Sequence, residues 1–418
     1  MLFSSLDLAP ALQKAVDACG YREMTAVQQR AIVAARRGKD VLAHAQTGTG
    51  KTAAFSIPVL QQMLDKPVPV KARHPRALIL TPTRELAEQL AETIGRYAQF
   101  TELKICAAYG GVKMGGQENK LKAGVDILIA TPGRLMEHMA QGNVTLSSAE
   151  FVILDEADRM LDMGFVADVR TILLQTPKKR QTMLFSATMS PAMNELAHKI
   201  LKNHEDIRIS KQNITAATVE HVMYAVEEQR KIELFWELLH EFNWFQVLVF
   251  TSTKAQADSL MAKLKLEGVP TALCHGDKSQ GARRRALADF KAGKVQVLVA
   301  TEVAARGLDI QGLEYVVNFN LPYLAEDYVH RIGRTGRAGQ AGNAISFVSR
   351  EEERSLASIE RLIGSKIKRM KKRGFEVSSR DNLIESEAKR SRPRSNKESH
   401  IQIQKGKKPA SKKFKKKG

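Results

Sequence analysis

The chain has 418 residues, 43% of them hydrophobic, enough for two or three domains with real cores; no stretch approaches eighteen consecutive apolar residues, which excludes a membrane-spanning helix. Cys19, Cys106 and Cys274 lie far apart and no basic segment precedes an apolar one at the N-terminus, so a disulfide framework, a cysteine metal site and a secretory signal are excluded and a reducing cytoplasm is expected. The formal net charge of +20 is uneven: Ser365 to Gly418 holds 20 Lys or Arg against 5 Asp or Glu, a composition suited to a polyanionic partner.

Residues 1–20 read as helical, most clearly from Pro10 to Ala18. Val41-Leu42-Ala43 is a short strand running into a glycine loop, and Thr52 to Leu64 continues as a helix. Further strands are predicted at Ala77–Leu80, Ile105–Ala108, Ile127–Ala130, Phe151–Leu154 and Thr182–Phe185. Strand and helix patterns alternate, as in α/β units with parallel sheets. After Ile207 the pattern loosens from Lys211 to Thr218, which predicts a linker. The plan then repeats: Leu78–Arg84 matches Leu248–Lys254, and Ile127–Thr131 matches Val297–Thr301, both at an offset of 170 residues. The expected organisation is one α/β domain over residues 1–209, a linker over 210–217, a second α/β domain over 218–365 and a basic tail over 366–418. Low hydrophobicity and high charge predict disorder for that tail.

Ala45-Gln46-Thr47-Gly48-Thr49-Gly50-Lys51-Thr52 fits the P-loop pattern, with Ala45 in place of the first glycine. In such a loop the backbone N–H groups and the following helix N-terminus cradle phosphates, and the lysine reaches the outer ones. About a hundred residues later Asp155-Glu156-Ala157-Asp158 ends an apolar run, where chemistry collects at the carboxyl ends of parallel strands. Thr52 and Asp155 are therefore candidate Mg²⁺ ligands, and Glu156 is the candidate general base. The second half has no phosphate loop, and Tyr315–Asn320 carries no acids where Phe151–Glu156 stands in the first. One nucleotide site is expected, with domain 2 supplying cations from His330–Arg337, Arg334 and Arg337 being candidate arginine fingers.

Thr81-Pro82-Thr83-Arg84 and Thr131-Pro132-Gly133-Arg134 share a Thr-Pro-x-Arg pattern after strands, in which Thr can cap a helix, Pro can open it and Arg sits in its first turn. Thr251-Ser252-Thr253-Lys254 repeats the arrangement, and Gly110-Gly111 permits close backbone approach. Together these loops suit a sugar–phosphate track that positions a strand without reading its sequence.

At these residues the chain resembles the DEAD-box ATP-dependent RNA helicases, and most of all the bacterial RhlE-type branch. The likeness covers roughly residues 3–363: Ala45–Thr52, Pro82–Ala87, Gly110-Gly111, Thr131–Arg134, Asp155–Asp158, Ser186-Ala187-Thr188, Thr301–Asp309 and His330–Arg337. The resemblance implies two tandem RecA-like domains that close around ATP and Mg²⁺ and hold one RNA strand across both. It implies that Gln28 reads adenine with Phe3 and Tyr21 packing nearby, that Asp309 contacts the nucleotide, and that Ser186 and Thr188 couple hydrolysis to closure through Asp158. It further implies RNA contacts from Pro82, Thr83, Arg84, Gly111, Thr131, Gly133, Arg134, Thr251, Gly276, Gln280, Arg283, Thr301 and Arg306.

Met24-Thr25-Ala26 replaces the family's Pro-Thr-Pro, and Thr301-Glu302 its Thr-Asp. The implied function is RNA-stimulated ATP hydrolysis that separates short duplexes or remodels RNA–protein complexes. The expected protein is a monomer with no membrane partner, working beside ribosome-assembly or RNA-degradation proteins. A DNA helicase on the same core and an RNA-annealing or clamping protein are the rival readings. Gln28 and His330-Arg331 argue against the first, and intact Lys51, Asp155, Glu156, Arg334 and Arg337 against the second. If about six tail charges meet phosphates, log affinity for RNA should fall with log salt at a slope of about −4.

Overall fold

The computed structural model describes residues 1–45, 48–68, 74–208, 219–302, 310, 313–336 and 342–376. The expected linker, most of the expected tail, and Gln46, Thr47, Arg306, Asp309 and Arg337 lie outside the described residues. Met1–Glu376 forms one unit.

Its core is two seven-stranded parallel sheets. The first contains β1 (Val41–His44), β2 (Ala77–Leu80), β3 (Ile105–Ala108), β4 (Ile127–Ala130), β5 (Phe151–Leu154), β6 (Gln181–Ser186) and β7 (Glu205–Arg208) in the order β3-β4-β2-β5-β6-β1-β7. The second contains β8 (Val219–Ala225), β9 (Val247–Thr251), β10 (Thr271–Cys274), β11 (Val297–Thr301), β12 (Tyr315–Asn318), β13 (Gly342–Val348) and β14 (Lys368–Met370) in the order β10-β11-β9-β12-β13-β8-β14. Each strand of one sheet has a counterpart in the other, and the registers agree. Ala77 pairs with Ile127 as Val247 pairs with Val297, which is the 170-residue repeat expressed as structure. Ala77 also pairs with Phe151 as Val247 pairs with Tyr315, so Phe319 follows β12 where Asp155 follows β5.

The central strands are short apolar runs because helices cover both faces. Ile79, Ile127, Ile129 and Ile153 face one hydrophobic cluster, while Leu78, Leu80, Leu128 and Leu154 face the other. Val247, Val249, Val297 and Val299 alternate with Leu248, Phe250, Leu298 and Ala300 in the same way in the second sheet. Each such side chain contributes about 1.5–3 kcal/mol of burial, and this fixes the register on which the loops at the carboxyl ends depend.

The edge strands are different. β7 reads Glu-Asp-Ile-Arg with only Ile207 buried, and β14 reads Lys-Arg-Met. Charge on an edge strand discourages pairing with other chains, and it also removes the hydrophobic signature of a strand. Composition alone starts the tail at residue 366; the fold runs on to Glu376. β14 pairs with β8, Ile367 and Phe375 are buried, the Arg230 guanidinium lies 4.3 Å from the centre of the Phe375 ring, and Lys372 Nζ pairs with Glu241 at 2.5 Å. Removing residues 377–418 should therefore leave the thermal unfolding of the core unchanged, whereas ending the chain at Ser365 should lower its midpoint. Phe375→Ala alone should cost about 3 kcal/mol in chemical denaturation.

Candidate ATP and RNA site

β1 leads into the phosphate loop, and the helix Lys51–Asp65 follows with Gly50 as its N-cap in a left-handed conformation (φ 86°). The helix therefore presents its first amides toward the carboxyl end of the sheet, where its dipole favours an anion. Lys51 is only 7% exposed, and its Nζ, 3.9 Å from Asp155 Oδ1, has no hydrogen-bond partner among the described residues. A buried ammonium without a hydrogen bond is costly, and phosphate oxygens would satisfy it. Asp155, at the end of β5, accepts the Glu156 amide. Burial pushes its carboxyl up to about 6; Lys51 opposes that shift and Glu156 adds to it. A divalent cation would reverse the balance. Asp155 and Thr52 supply hard oxygen donors of the kind Mg²⁺ takes alongside substrate phosphates, so these residues fit the ion.

Glu156 adopts φ 53°, a left-handed backbone uncommon outside glycine, and its Oε2 is buried with no hydrogen-bond partner among the described residues. Asp158 faces the other way. Its Oδ2 accepts from the Ala187 and Thr188 amides (3.1 and 2.9 Å) and from Thr188 Oγ1 (2.9 Å), while Ser186 Oγ donates to the Thr188 carbonyl at 2.5 Å. The acidic tetrad is thus divided by geometry, with Asp155 toward Lys51, Glu156 in a buried position and Asp158 locked to the Ser-Ala-Thr turn.

Gln28 closes the site behind the loop. The helix Ala26–Arg36 opens with a capping box in which Thr25 accepts the Gln28 amide and the Gln28 Oε1 accepts the Thr25 amide. Gln28 Nε2 donates to the Gly50 carbonyl at 3.1 Å, and Thr25 Oγ1 donates to the Thr49 carbonyl at 2.8 Å. A Cβ at Gly50 would meet Gln28 Nε2 at 2.3 Å, which is why glycine stands there. The box fixes the segment without the missing prolines. Phe3 is buried, with Tyr21 stacked on it at 5.6 Å, and the Tyr21 hydroxyl lies 2.9 Å from that of Tyr97.

Domain 2 reaches this site with the helix Ala325–Ile332. The Asp327 carboxylate of this helix lies 3.2 Å from Arg159 Nη1 of domain 1. Burial, and then the cations Arg159, Arg334 and Lys51, hold His330 well below the usual imidazole range. Arg331 does not join them. Its guanidinium bonds Glu302 (2.5 Å), Asn318 Oδ1 and the Asn320 carbonyl within its own sheet, which also shows that the longer Glu302 is accommodated. The helix Lys231–Glu241 follows β8 as Lys51–Asp65 follows β1, and it too opens on a lysine. There Lys231 is fully buried between Glu228 and Glu352, both at 2.6 Å, so its charge is satisfied internally.

On the other side, Thr83 caps the helix Arg84–Ala98 and Thr253 caps Lys254–Leu266, so in these loops the cap is the second threonine and Pro82 precedes it. Only Thr131 and Pro132 stand as N-cap and first helical residue, and Thr131 makes no side-chain cap bond. The Arg84 guanidinium covers Gly111 (φ 78°), where a Cβ would meet Nη1 at 1.7 Å. Arg134 is buried and donates to the Val112 carbonyl and to Gln117 Oε1, so it holds the glycine loop from beneath. Arg283 donates to Gln280 Oε1 and pairs with Glu85 across the two domains at 2.7 Å. The guanidiniums of Arg134 and Arg283 are thus committed within the protein here. Thr251, Thr301, Gln280 and Gly276 lie along the same edge of domain 2, with Gly276 beside Lys254.

The DEAD/DEAH box helicase family matches residues 25–196 and the helicase conserved C-terminal domain matches residues 230–339. The chain belongs to the DEAD-box ATP-dependent RNA helicases. It is 43% identical over 371 residues to the ATP-dependent RNA helicase RhlB of Pseudomonas aeruginosa (strain UCBPP-PA14), covering 87% of this chain and 93% of that one. That relative carries the RhlB name where the motifs pointed to the RhlE-type branch; the family is common to both. Among solved structures it is similar to S. cerevisiae Dbp5 bound to RNA and ADP BeF3 (31% identity, TM-score 0.78, 93% of this chain and 99% of that chain). It is also similar to Mss116p bound to ssRNA and AMP-PNP (28% identity, TM-score 0.80, 93% and 81%). The enzyme hydrolyses ATP as members of this family do.

Arg159, Asp327 and Lys231 take part in these arrangements and carry no motif that spacing would single out, while Glu85 lies within the Pro82–Ala87 run without a role that its sequence assigns. For this DEAD-box protein, Gly111→Ala should displace the Arg84 guanidinium and strain a positive φ. That strain is present with and without RNA and should lower stability by about 1–2 kcal/mol in chemical denaturation, while the displaced guanidinium should weaken RNA binding and leave ATP binding unchanged in titrations.

Proposed function

We propose that this helicase couples RNA-stimulated ATP hydrolysis to local separation of short RNA duplexes or remodelling of RNA–protein complexes. The observation that carries this reading is the pair of buried groups without a hydrogen-bond partner among the described residues, Lys51 Nζ and Glu156 Oε2, at the carboxyl end of the first sheet, where Asp327 of domain 2 meets Arg159. Lys51 and the amides of the phosphate loop bind the phosphates, Thr52 and Asp155 hold Mg²⁺, and Mg²⁺ supplies charge neutralisation on the phosphate oxygens. Glu156 accepts a proton from the water whose oxygen bonds to the γ-phosphorus as the bond to ADP breaks, giving ADP and phosphate. Arg334, with Arg337, stabilises the charge that develops on the transferred group.

Gln28 recognises adenine with its remaining amide capacity, since each of its polar atoms keeps one further hydrogen bond to give or accept. Asp158, Ser186 and Thr188 couple this site to the second domain. RNA lies along Arg84, Gly111, Thr131 and Gly133 of domain 1 and Thr251, Gly276 and Thr301 of domain 2, held by its backbone without sequence preference. The likeness to relatives bound to RNA with ADP BeF3 or AMP-PNP supports the reading that both ligands close the two domains together. The protein works in the cytoplasm as a monomer, with the basic tail as an additional tether for RNA and ribosome-assembly or RNA-degradation factors as neighbours.

ATP turnover measured with matched RNA and DNA oligomers tests the substrate, and greater stimulation by DNA would overturn it. Glu156→Gln should retain ATP and RNA binding and lose turnover by at least about a hundredfold, the range expected when a general base is removed. Normal turnover in that variant would remove Glu156 from its role.

A further inference from the structure

Arg159 lies in the short helix Ala157–Asp162 that follows Glu156, and it is 3% exposed. Its Nε stands 3.7 Å from Glu156 Oε2, a contact between residues three apart that requires nothing outside domain 1. Its Nη1 stands 3.2 Å from Asp327 Oδ1, and Asp327 belongs to the helix Ala325–Ile332 of domain 2. The second contact exists only while the domains are together. The other cation near Asp327, Arg331, is occupied by Glu302, Asn318 and the Asn320 carbonyl.

With the domains together, the shorter pair is the one to Asp327, and Glu156 Oε2 has no hydrogen-bond partner among the described residues. When domain 2 withdraws, the carboxylates left around Arg159 are that of Glu156, at 3.7 Å, and that of Asp162 three residues on in the same helix, and the Glu156 carboxylate is the more buried of the two. A buried guanidinium that loses one anion tightens on the other, because an unpaired buried charge is costly. A guanidinium held on Oε2 occupies one of the carboxylate's acceptor sites and fixes its orientation, which turns it from the attacking water.

We propose that Arg159 is a positioning residue that sequesters Glu156 while the domains are apart and is drawn off it by Asp327 when they meet. Hydrolysis is then withheld until RNA and ATP have brought domain 2 into place, and Asp327 reports its arrival. The proposal rests on Glu156 as the base, and Glu156→Gln tests that assignment separately.

The experiment is steady-state ATP turnover of the full chain, without RNA and with saturating poly(U), for Arg159→Gln, Asp327→Asn and the double variant. Arg159→Gln should raise the RNA-free rate about tenfold and shrink the stimulation ratio, as removal of a ground-state restraint does. Asp327→Asn should leave the RNA-free rate at its original level and lower the stimulated kcat about tenfold with little change in KM for ATP. In the Arg159→Gln background, Asp327→Asn should add nothing. Two results would overturn the proposal. One is an RNA-free rate in folded Arg159→Gln, checked by thermal melting, at or below that of the original protein. The other is an Asp327→Asn effect on the stimulated rate that is the same with and without Arg159, which is what a purely structural seam gives. Should Arg159→Gln not fold, an unchanged stimulated kcat in Asp327→Asn alone is sufficient to reject it. If Glu156→Gln is inactive while either overturning result appears, only the Arg159 assignment falls.

Discussion

Asp155, Glu156 and Asp158 are all buried at the carboxyl end of one strand, and buried charge must be paired. Much of the ATP side of the molecule answers that constraint. Lys51 arrives from the phosphate loop, Arg159 from the next helical turn, and the Ser186–Thr188 turn supplies an amide pair and a hydroxyl to Asp158. Glu156 is served least, with a left-handed backbone and an oxygen that no hydrogen bond reaches among the described residues. The site is incomplete by itself in a way that a metal-bound nucleotide and a second domain can complete.

The second sheet shows the same problem solved without a ligand. Its strands follow the first sheet in order and register, yet Phe319 stands at the Asp155 position and packs into the core. Its helix-opening lysine, Lys231, is enclosed by Glu228 and Glu352. Glu228 also accepts from Asn320 and Gln256, and Glu352 accepts the Leu321 amide, so this internally paired centre ties the loop after β12 to the helix Lys254–Leu266. Domain 2 has exchanged a binding site for a rigid platform, from which it presents His330 and Arg334.

Among the described residues, ion pairs join the halves on two sides. On the ATP side Arg159 meets Asp327; on the other side Arg283 meets Glu85, and Arg284 meets Glu88 and the Tyr109 hydroxyl at 2.9 Å. Ion pairs desolvated at an interface return little net free energy beyond their own desolvation cost, so such a seam can open again once its ligands leave. A continuous apolar interface would hold the domains together permanently. An enzyme that must release both strand and nucleotide in every cycle is served by the first kind of contact.

The central strands of the first sheet, the phosphate loop and the duplicated plan were legible in the sequence, because each rests on local pattern: a four-residue apolar run, a glycine spacing, an offset of 170 residues reproduced in the register of Ala77 and Val247. The edge strands β7 and β14 were not, since their charged faces look like loop or tail until a neighbouring strand pairs with them. Nor could the sequence say that the helix caps are Thr83 and Thr253, that Arg134 and Arg283 turn inward, or that Arg331 serves its own sheet. The sequence by itself determined which chemical groups are present and on which strand ends they sit, because periodicity and turn residues act within a few positions. Only the tertiary structure decided which charge meets which. Arg159 and Asp327 are 168 positions apart, and no local preference links them; what joins them is the cost of leaving either one buried alone.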